Sequence, residues 1–430
     1  MYCNVVNKGK NLLDVQAENR SLILRLMKHK QICARTELAQ LSGLKHATIT
    51  NIINEFISYG LVEEKGIIEG KKGRRSIGIS LDSSTYAVIG VEISRLHAMV
   101  GLFDLRGELL RSKKVSFKGL TGPAEFIARS AAEAAELLKS VTCGNSKEPE
   151  ASEEMENTAS GEKKPDCGEM RRVLAVGVAV PGPFYQDSGS SDLIQSYPDW
   201  GTVNVRSEFE QVFSIPVVVE QDVNMAALAE WGSRMADTCQ DTLVYLSLDQ
   251  GVGAGIVQGG QIFRGGLGTA GEIGHISVDY NGERCICGNR GCATVQASTI
   301  RFRRMVQRRL QEGETSILKE DFEMKDLVEA IWQKDNAAYP VYQEMVIYAG
   351  RIITNTIWAY GPQYIVLGGE MARIGGMFLQ DVRRYVAENM ADSMAKRVEL
   401  LLNEKDQILN GAGLLAAEYV FEHMELFEKK

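Results

Sequence analysis

His275, Cys285, Cys287 and Cys292 place one imidazole and three thiols within 18 residues. Thiolates and a neutral imidazole hold zinc tetrahedrally, and a Cys₃His set with no open position makes a structural site. Gly288 and Gly291 permit the sharp turn that would bring Cys287 back to Cys292. Three buried cysteines in a turn would satisfy the same spacing. Cys3, Cys33, Cys143, Cys167 and Cys239 are scattered. A cytoplasmic, reducing location with a zinc cofactor fits this usage better than disulfides.

Two further clusters carry polar chemistry. Glu220-Gln221-Asp222-Val223-Asn224 lies between a strand-like and a helical stretch. Gly271-Glu272-Ile273-Gly274-His275 sets a carboxylate and an imidazole among glycines. Carboxylates and amides pair with sugar hydroxyls, and Asp222 could act as a base toward one. Asp222 would serve equally as a helix N-cap.

A third set of residues suits nucleic acid. Helical patterns cover Ser21–Lys28, Thr36–Leu41 (Thr36 as its N-cap) and Lys45–Tyr59, with strand-like runs at Leu61–Lys65 and Ser76–Leu81. Ala39, Gly43, Ile49 and Ile52 stand where a helix-turn-helix needs a small crossing residue, a turn glycine and buried apolar groups. Lys45, His46, Thr48, Thr50, Asn51 and Asn54 are then left on the outer side of the second helix, with Thr36 nearby. Such side chains reach base edges and phosphates in a major groove. Lys71, Lys72, Arg74 and Arg75 around Gly73 fall between the two strands, where a wing would enter a minor groove. A three-helix protein-interaction module with a basic loop remains compatible with each feature taken singly.

Charge supports the nucleic-acid reading. The 430-residue chain carries 48 Lys/Arg against 56 Asp/Glu, a net −8. Residues 1–80 hold 13 of those bases and 7 of the acids, leaving 35 against 49 on the remainder. A basic head on an acidic body lets only the head approach a polyanion. With 44% hydrophobic and 24% charged residues, sizeable cores are available. No apolar run suits a membrane span, and Met1–Lys10 lacks the pattern of a secretory signal.

The elements that must position the clusters alternate strand and helix from Tyr86 onward. Strands are expected at Ala87–Ile93, His97–Asp104, Glu108–Phe117, Val173–Val180, Val217–Glu220, Leu243–Asp249 and Ile365–Leu367. Helices are expected at Ala124–Lys139, at Asn224–Trp231, through 296–360 and from near Gly413. An α/β fold with ligands at strand tips follows. Residues 143–170 contain eight acids and almost no apolar group, the composition of a disordered insertion. The expected domains are 1–82, a winged helix-turn-helix, and 83–430, a ligand-sensing body.

On Glu220-Gln221-Asp222, Gly271–His275, Cys285/Cys287/Cys292, Gly251–Gly255 and Pro181-Gly182, with the head before them, the chain resembles the ROK family, on its repressor branch. The resemblance implies a two-lobed actin-like (ribonuclease-H-like) sugar-kinase fold, with Gln221, Asp222, Glu272 and His275 contacting a sugar effector. It gives Asp222 the place of the kinases' catalytic base and His275 a second role on zinc with Cys285, Cys287 and Cys292. Kinases of the family carry an Asp-x-Gly-Gly-Thr phosphate loop where this chain has Glu92-Ile93-Ser94-Arg95-Leu96. Side chains in place of those glycines obstruct phosphate binding, so phosphoryl transfer is not expected. Gly251–Gly255 then reads as a structural turn, Gln221 replaces a common Asn, and Thr294 replaces a common Glu. The expected function is a repressor, homodimeric or larger, that binds double-stranded operator DNA and a sugar effector. A sugar kinase with an added head, or a regulator whose body docks a protein, are the alternatives.

Overall fold

The computed structural model describes residues 11–69, 75–94, 97–142, 170–191, 203–234 and 241–428. The expected insertion, residues 143–170, lies outside these except for Met170, as do Lys71, Lys72, Arg74, Arg95 and Leu96.

The head begins with helix Leu12–His29, nine residues earlier than the apolar pattern suggests. Asn11 and Asp14 form a reciprocal capping box, at 2.9 and 3.0 Å, that extends the helix over a polar first half. Helices Arg35–Ser42 and His46–Ser58 follow, joined through Gly43 in the left-handed region (φ 71°). Ala34, not Thr36, caps the first of these, so Thr36 is an exposed residue inside the helix. Ile49, Ile53 and Phe56 are fully buried and hold His46–Ser58 down. Strands Val62–Glu69 and Arg75–Leu81 pair antiparallel up to Glu69 opposite Arg75, and Cys33–Ala34 adds a third strand.

The body repeats one plan twice. Its first sheet runs Val217–Gln221, Arg172–Val180, Tyr86–Ile93, His97–Asp104, Leu109–Ser116, the first three parallel and the last two antiparallel. Its second runs Gln261–Ile262, Val252–Gln258, Thr242–Leu248, Tyr364–Gly368, Glu399–Leu402, again three parallel strands and two antiparallel. This is the expected two-lobed α/β architecture. Central strands are apolar on both faces because helices cover both sides, as at Tyr86–Ile93, buried throughout.

Two helices cross between the lobes. Asp222–Arg234 leaves the tip of a first-sheet strand and packs on strands Thr242–Leu248 and Val252–Gln258 of the second sheet. Ile408–Glu422 returns from the second lobe and packs on Tyr86–Ile93 and Arg172–Val180 of the first. The two helices also pack on each other. Side chains at Gly411 and Gly413 would collide with the Met225 backbone and the Phe103 ring, so glycine sets how closely these elements approach. The helix expected from Gly413 therefore starts five residues earlier, at Ile408.

Head and body share one core. Ile23, Leu24, Met27, Ile53 and Phe56 pack in the same cluster as Val88, Phe103, Ala417, Val420 and Phe421. The Tyr86 hydroxyl donates to the Tyr59 carbonyl at 2.6 Å, and Phe427 meets the Tyr86 ring edge-on. Among the described residues no helix is long and apolar enough to cross a membrane.

Candidate functional site

Strand Val217–Gln221 and helix Asp222–Arg234 meet at the cleft between the lobes, and their junction carries the first polar cluster. Glu220 is buried and saturated. One oxygen accepts from the Gln221 backbone (2.9 Å) and Asn224 Nδ2 (3.0 Å). The other accepts from Gln186 Nε2 (3.1 Å) and from Arg264 through Nε (2.7 Å) and a terminal nitrogen (2.6 Å). Gln221 Nε2 donates to Glu272 Oε1 at 2.8 Å. Arg264 and Glu272 belong to the second lobe, so both links cross the cleft.

Asp222 is the first residue of its helix, and its Oδ1 accepts from the Val223 backbone at 2.7 Å. Burial pushes its carboxyl up to about 7 against that hydrogen bond, with Glu272, Asp406 and Asp249 adding to the rise. Glu272 is raised by burial, opposed by the Gln221 hydrogen bond and by His275. Glu92, 7% exposed at the end of its strand, is pushed up to about 8 by burial, then by Asp406 and Asp222. The native state therefore keeps the Glu92 proton to near pH 8, whereas the unfolded chain loses it near the ordinary glutamate value. Between those limits stability falls as pH rises. Glu92→Gln is expected to stabilise the protein by on the order of 3 kcal/mol at pH 8 and by almost nothing at pH 4.5. Urea denaturation at the two pH values checks this; an equal gain at both would contradict it.

The glycines around the cleft serve close packing. Gly251–Gly255, expected to be a turn, instead runs into strand Val252–Gln258. A side chain at Gly255 would strike the Val223 carbonyl, so this glycine lets the Asp222 helix lie on the strand. Gly271 and Gly274 similarly seat the Glu272–His275 segment against the Ala254 and Val252 carbonyls. Thr294 is buried, and its hydroxyl oxygen accepts from the Val252 backbone at 3.3 Å. Ser94 donates its hydroxyl to the His97 carbonyl at 2.7 Å.

His275, Cys285, Cys287 and Cys292 come together as the spacing suggested, their ligand atoms all within 4.8 Å of one another. Cys285 Sγ lies 3.5 Å from His275 Nδ1, and Cys287 Sγ 3.6 Å from Cys292 Sγ. A tetrahedral ion with metal–sulfur bonds of about 2.3 Å requires sulfur–sulfur edges of about 3.8 Å, so the cluster fits such an ion. Gly288 and Gly291 take positive φ (92° and 59°) in the turn between Cys287 and Cys292. The Cys285 and Cys292 thiols are raised, Cys292 to about 12, chiefly by burial, so a bound cation would be needed to hold them as thiolates.

In the head, Lys45, His46, Asn51 and Asn54 are exposed along one side of His46–Ser58. Thr48 and Thr50 are half-buried, and Thr50 donates its hydroxyl back to the His46 carbonyl at 2.9 Å. Arg75 is exposed at the strand end leading to residues 70–74. Sequence reasoning missed Arg264 and Asp406, which stand alone in their segments with no motif to mark them, and read Glu92 only as the first residue of the altered phosphate loop.

A match to the ROK family covers residues 88–423. A putative xylose repressor from Caldicellulosiruptor sp. is 27% identical over 374 residues, 86% of this chain and 87% of the relative. The Escherichia coli K12 DNA-binding transcriptional dual regulator NagC is 27% identical over 395 residues, 91% of this chain and 90% of the relative. A crystal structure of a ROK family transcriptional regulator, described as a homologue of the E. coli MLC protein, superposes with a TM-score of 0.77. It is 25% identical and covers 96% of this chain and 100% of its own. A ROK family glucokinase from Streptomyces griseus, 24% identical, superposes with a TM-score of 0.59 over 77% of this chain and 99% of its own, a likeness of fold. Family match and two-lobed fold agree, and the chain belongs to the ROK family.

Proposed function

We propose that this chain is a DNA-binding transcriptional repressor whose kinase-like body binds a sugar or sugar derivative as effector without transferring a phosphoryl group. The observation that carries the proposal is the shared core. A helix presenting Lys45, His46, Asn51 and Asn54 outward is packed, through the rest of its head, onto the helix Ile408–Glu422 that crosses between the lobes. Repressor relatives matching along nearly the whole chain support the same reading.

Residues 1–82 act as a winged helix-turn-helix, with His46–Ser58 in the major groove and Lys71, Lys72, Arg74 and Arg75 at the wing. Thr36, Thr48 and Thr50 would add contacts to base edges or phosphates. Residues 83–430 form the sensor, in which Gln221, Asp222, Glu272 and His275 hold the effector. His275, Cys285, Cys287 and Cys292 would hold zinc, which fixes the fold of the knuckle and the His275 tautomer. With Nδ1 toward the thiols, Nε2 is left for the effector. Paired heads reading two-fold half-sites require a homodimer or a larger even assembly, working in the cytoplasm.

Effector binding drives DNA affinity only if it prefers one arrangement of the lobes. Such a rearrangement shifts Asp222–Arg234 against Ile408–Glu422, and the head rides on the latter. The DNA-binding half of the proposal is tested by fluorescence anisotropy on the duplex upstream of the chain's own gene. The parent chain is expected to bind that duplex at least a hundredfold tighter than a scrambled one. Asn51→Ala is expected to lower this preference about tenfold or more. Equal affinity for both duplexes would end the proposal.

A further inference from the structure

Helix Leu12–His29 is apolar on two sides. Ile23, Leu24 and Met27 turn to the core and are fully buried. Away from the core, Leu12 is 73% exposed, Val15 40% and Leu22 38%, and Leu26 is only partly covered. Together with Asn19 these residues follow one another in alternating steps of three and four, the a/d spacing of a helix that seats on another helix. At about 100° per residue they fall within an arc of about 80°, a narrow seam rather than scattered apolar groups. The charges of the same helix are segregated along its length. Asp14 and Glu18 stand in its first half, and Arg20, Arg25 and Lys28 in its second. Glu18 and Arg25 share one flank of the seam. Glu18 is exposed, and Arg25, although held by Glu418 and Glu422, keeps 39% of its side chain exposed.

We propose that this seam is where the heads of two copies of the chain meet, as an antiparallel pair of Leu12–His29 helices. This deepens the paired-head reading above. A second copy fits the seam because the helix is complementary to itself when reversed. Antiparallel packing sets each acidic half against the partner's basic half and opposes the two helix dipoles, whereas parallel packing stacks like on like. The register that brings Glu18 beside the partner's Arg25 also sets Val15 against the partner's Leu26 and Asn19 against the partner's Leu22. Two-fold symmetry makes each of these contacts twice. Asn19, the polar member of the seam, fixes that register at a cost in stability.

The test is disulfide trapping in the full-length chain, with Val15→Cys and Leu26→Cys made singly and together. Each protein is exposed to a mild oxidant, and covalent dimer is read by non-reducing electrophoresis. The parent chain sets the background from the native cysteines. A disulfide requires Cα atoms within about 7 Å. In the antiparallel pair position 15 is level with the partner's position 26, but lies eleven residues of helix, about 16 Å, from the partner's position 15. The double variant is therefore expected to give at least tenfold more covalent dimer than either single variant, each of which stays at the parent's level. Thermal melts verify folding, and if the double variant does not fold, Asn19→Cys with Leu22→Cys supplies the second facing pair. No dimer above background in a folded double variant overturns the proposal and leaves the seam to another occupant. A single variant that cross-links as fully as the double overturns the antiparallel pairing. The trapping needs no DNA, so its outcome is independent of whether the chain prefers its own upstream duplex.

Discussion

Cys292→Ser is expected to abolish stoichiometric zinc binding and to weaken any sugar effector about tenfold to a hundredfold. Cys292 is fully buried, with its sulfur 3.6 Å from Cys287 Sγ and 3.4 Å from the His275 carbonyl oxygen. Serine offers a harder, shorter and protonated ligand that does not replace a thiolate on zinc. A metal on Nδ1 would fix the His275 ring, so losing it would free the imidazole proposed to meet the effector, and losses of this size follow disordered metal-site partners. Helix Ala293–Gln296 starts immediately after Cys292, so the damage spreads into the packing beside Val252. Elemental analysis of the purified chain should give about one zinc per parent chain and less than about a tenth of that in the variant. Parent protein with no zinc, or a variant with as much as the parent, would remove the metal from the account.

Glu418→Gln is expected to cost about 3 kcal/mol of stability and to loosen the head from the body. Glu418 lies on the returning helix and accepts from Arg25 Nε at 2.7 Å and from Lys28 Nζ at 3.4 Å. The Lys28 side chain is only 6% exposed, and burial lowers its pKa despite the pull of Glu418. Removing the carboxylate leaves that ammonium buried without its partner, which costs more than the pair itself contributes. Glu418 itself is held below the ordinary glutamate value, where burial is outweighed by Lys28 and Arg25. Its contribution is complete above that ordinary value and is lost as pH falls through the depressed one. Urea unfolding at pH 7 should show the full loss, and at pH 3 a much smaller difference. Adding Lys28→Met to Glu418→Gln should recover most of the stability at pH 7. No recovery would mean that the damage lies elsewhere in the packing.

What could be read from the residues divides along a physical line. The metal cluster was legible because its ligands are close in sequence and thiol chemistry limits the alternatives; the structure brings all four together. The α/β class was legible because buried strands are continuous apolar runs, as at Tyr86–Ile93, whereas the two lobes followed only from the family resemblance. Gly251–Gly255 and Gly411–Gly413 misled for one reason. Glycine there answers to a neighbouring helix or ring, which no local pattern records, so a strand read as a turn and a helix lost its first turn. Thr36 looked like a cap, yet the helix starts one residue earlier from Ala34 without a side-chain cap. The Arg264–Glu220 and Lys28–Glu418 pairs join residues distant in the chain, and single charges carry no spacing to read. Glu92, read from the sequence only as part of the altered phosphate loop, became notable as a buried acid once its strand was seen to bury it near Asp222.

The central claim is that a sugar in the cleft changes how the head holds DNA. Anisotropy titration of the full chain onto its own upstream duplex, with and without a sugar that calorimetry shows to be bound, tests it most directly. The expected result is a change in DNA Kd of at least tenfold on saturation with sugar, since the ligand must distinguish two lobe arrangements to act. An unchanged Kd with sugar demonstrably bound would contradict it.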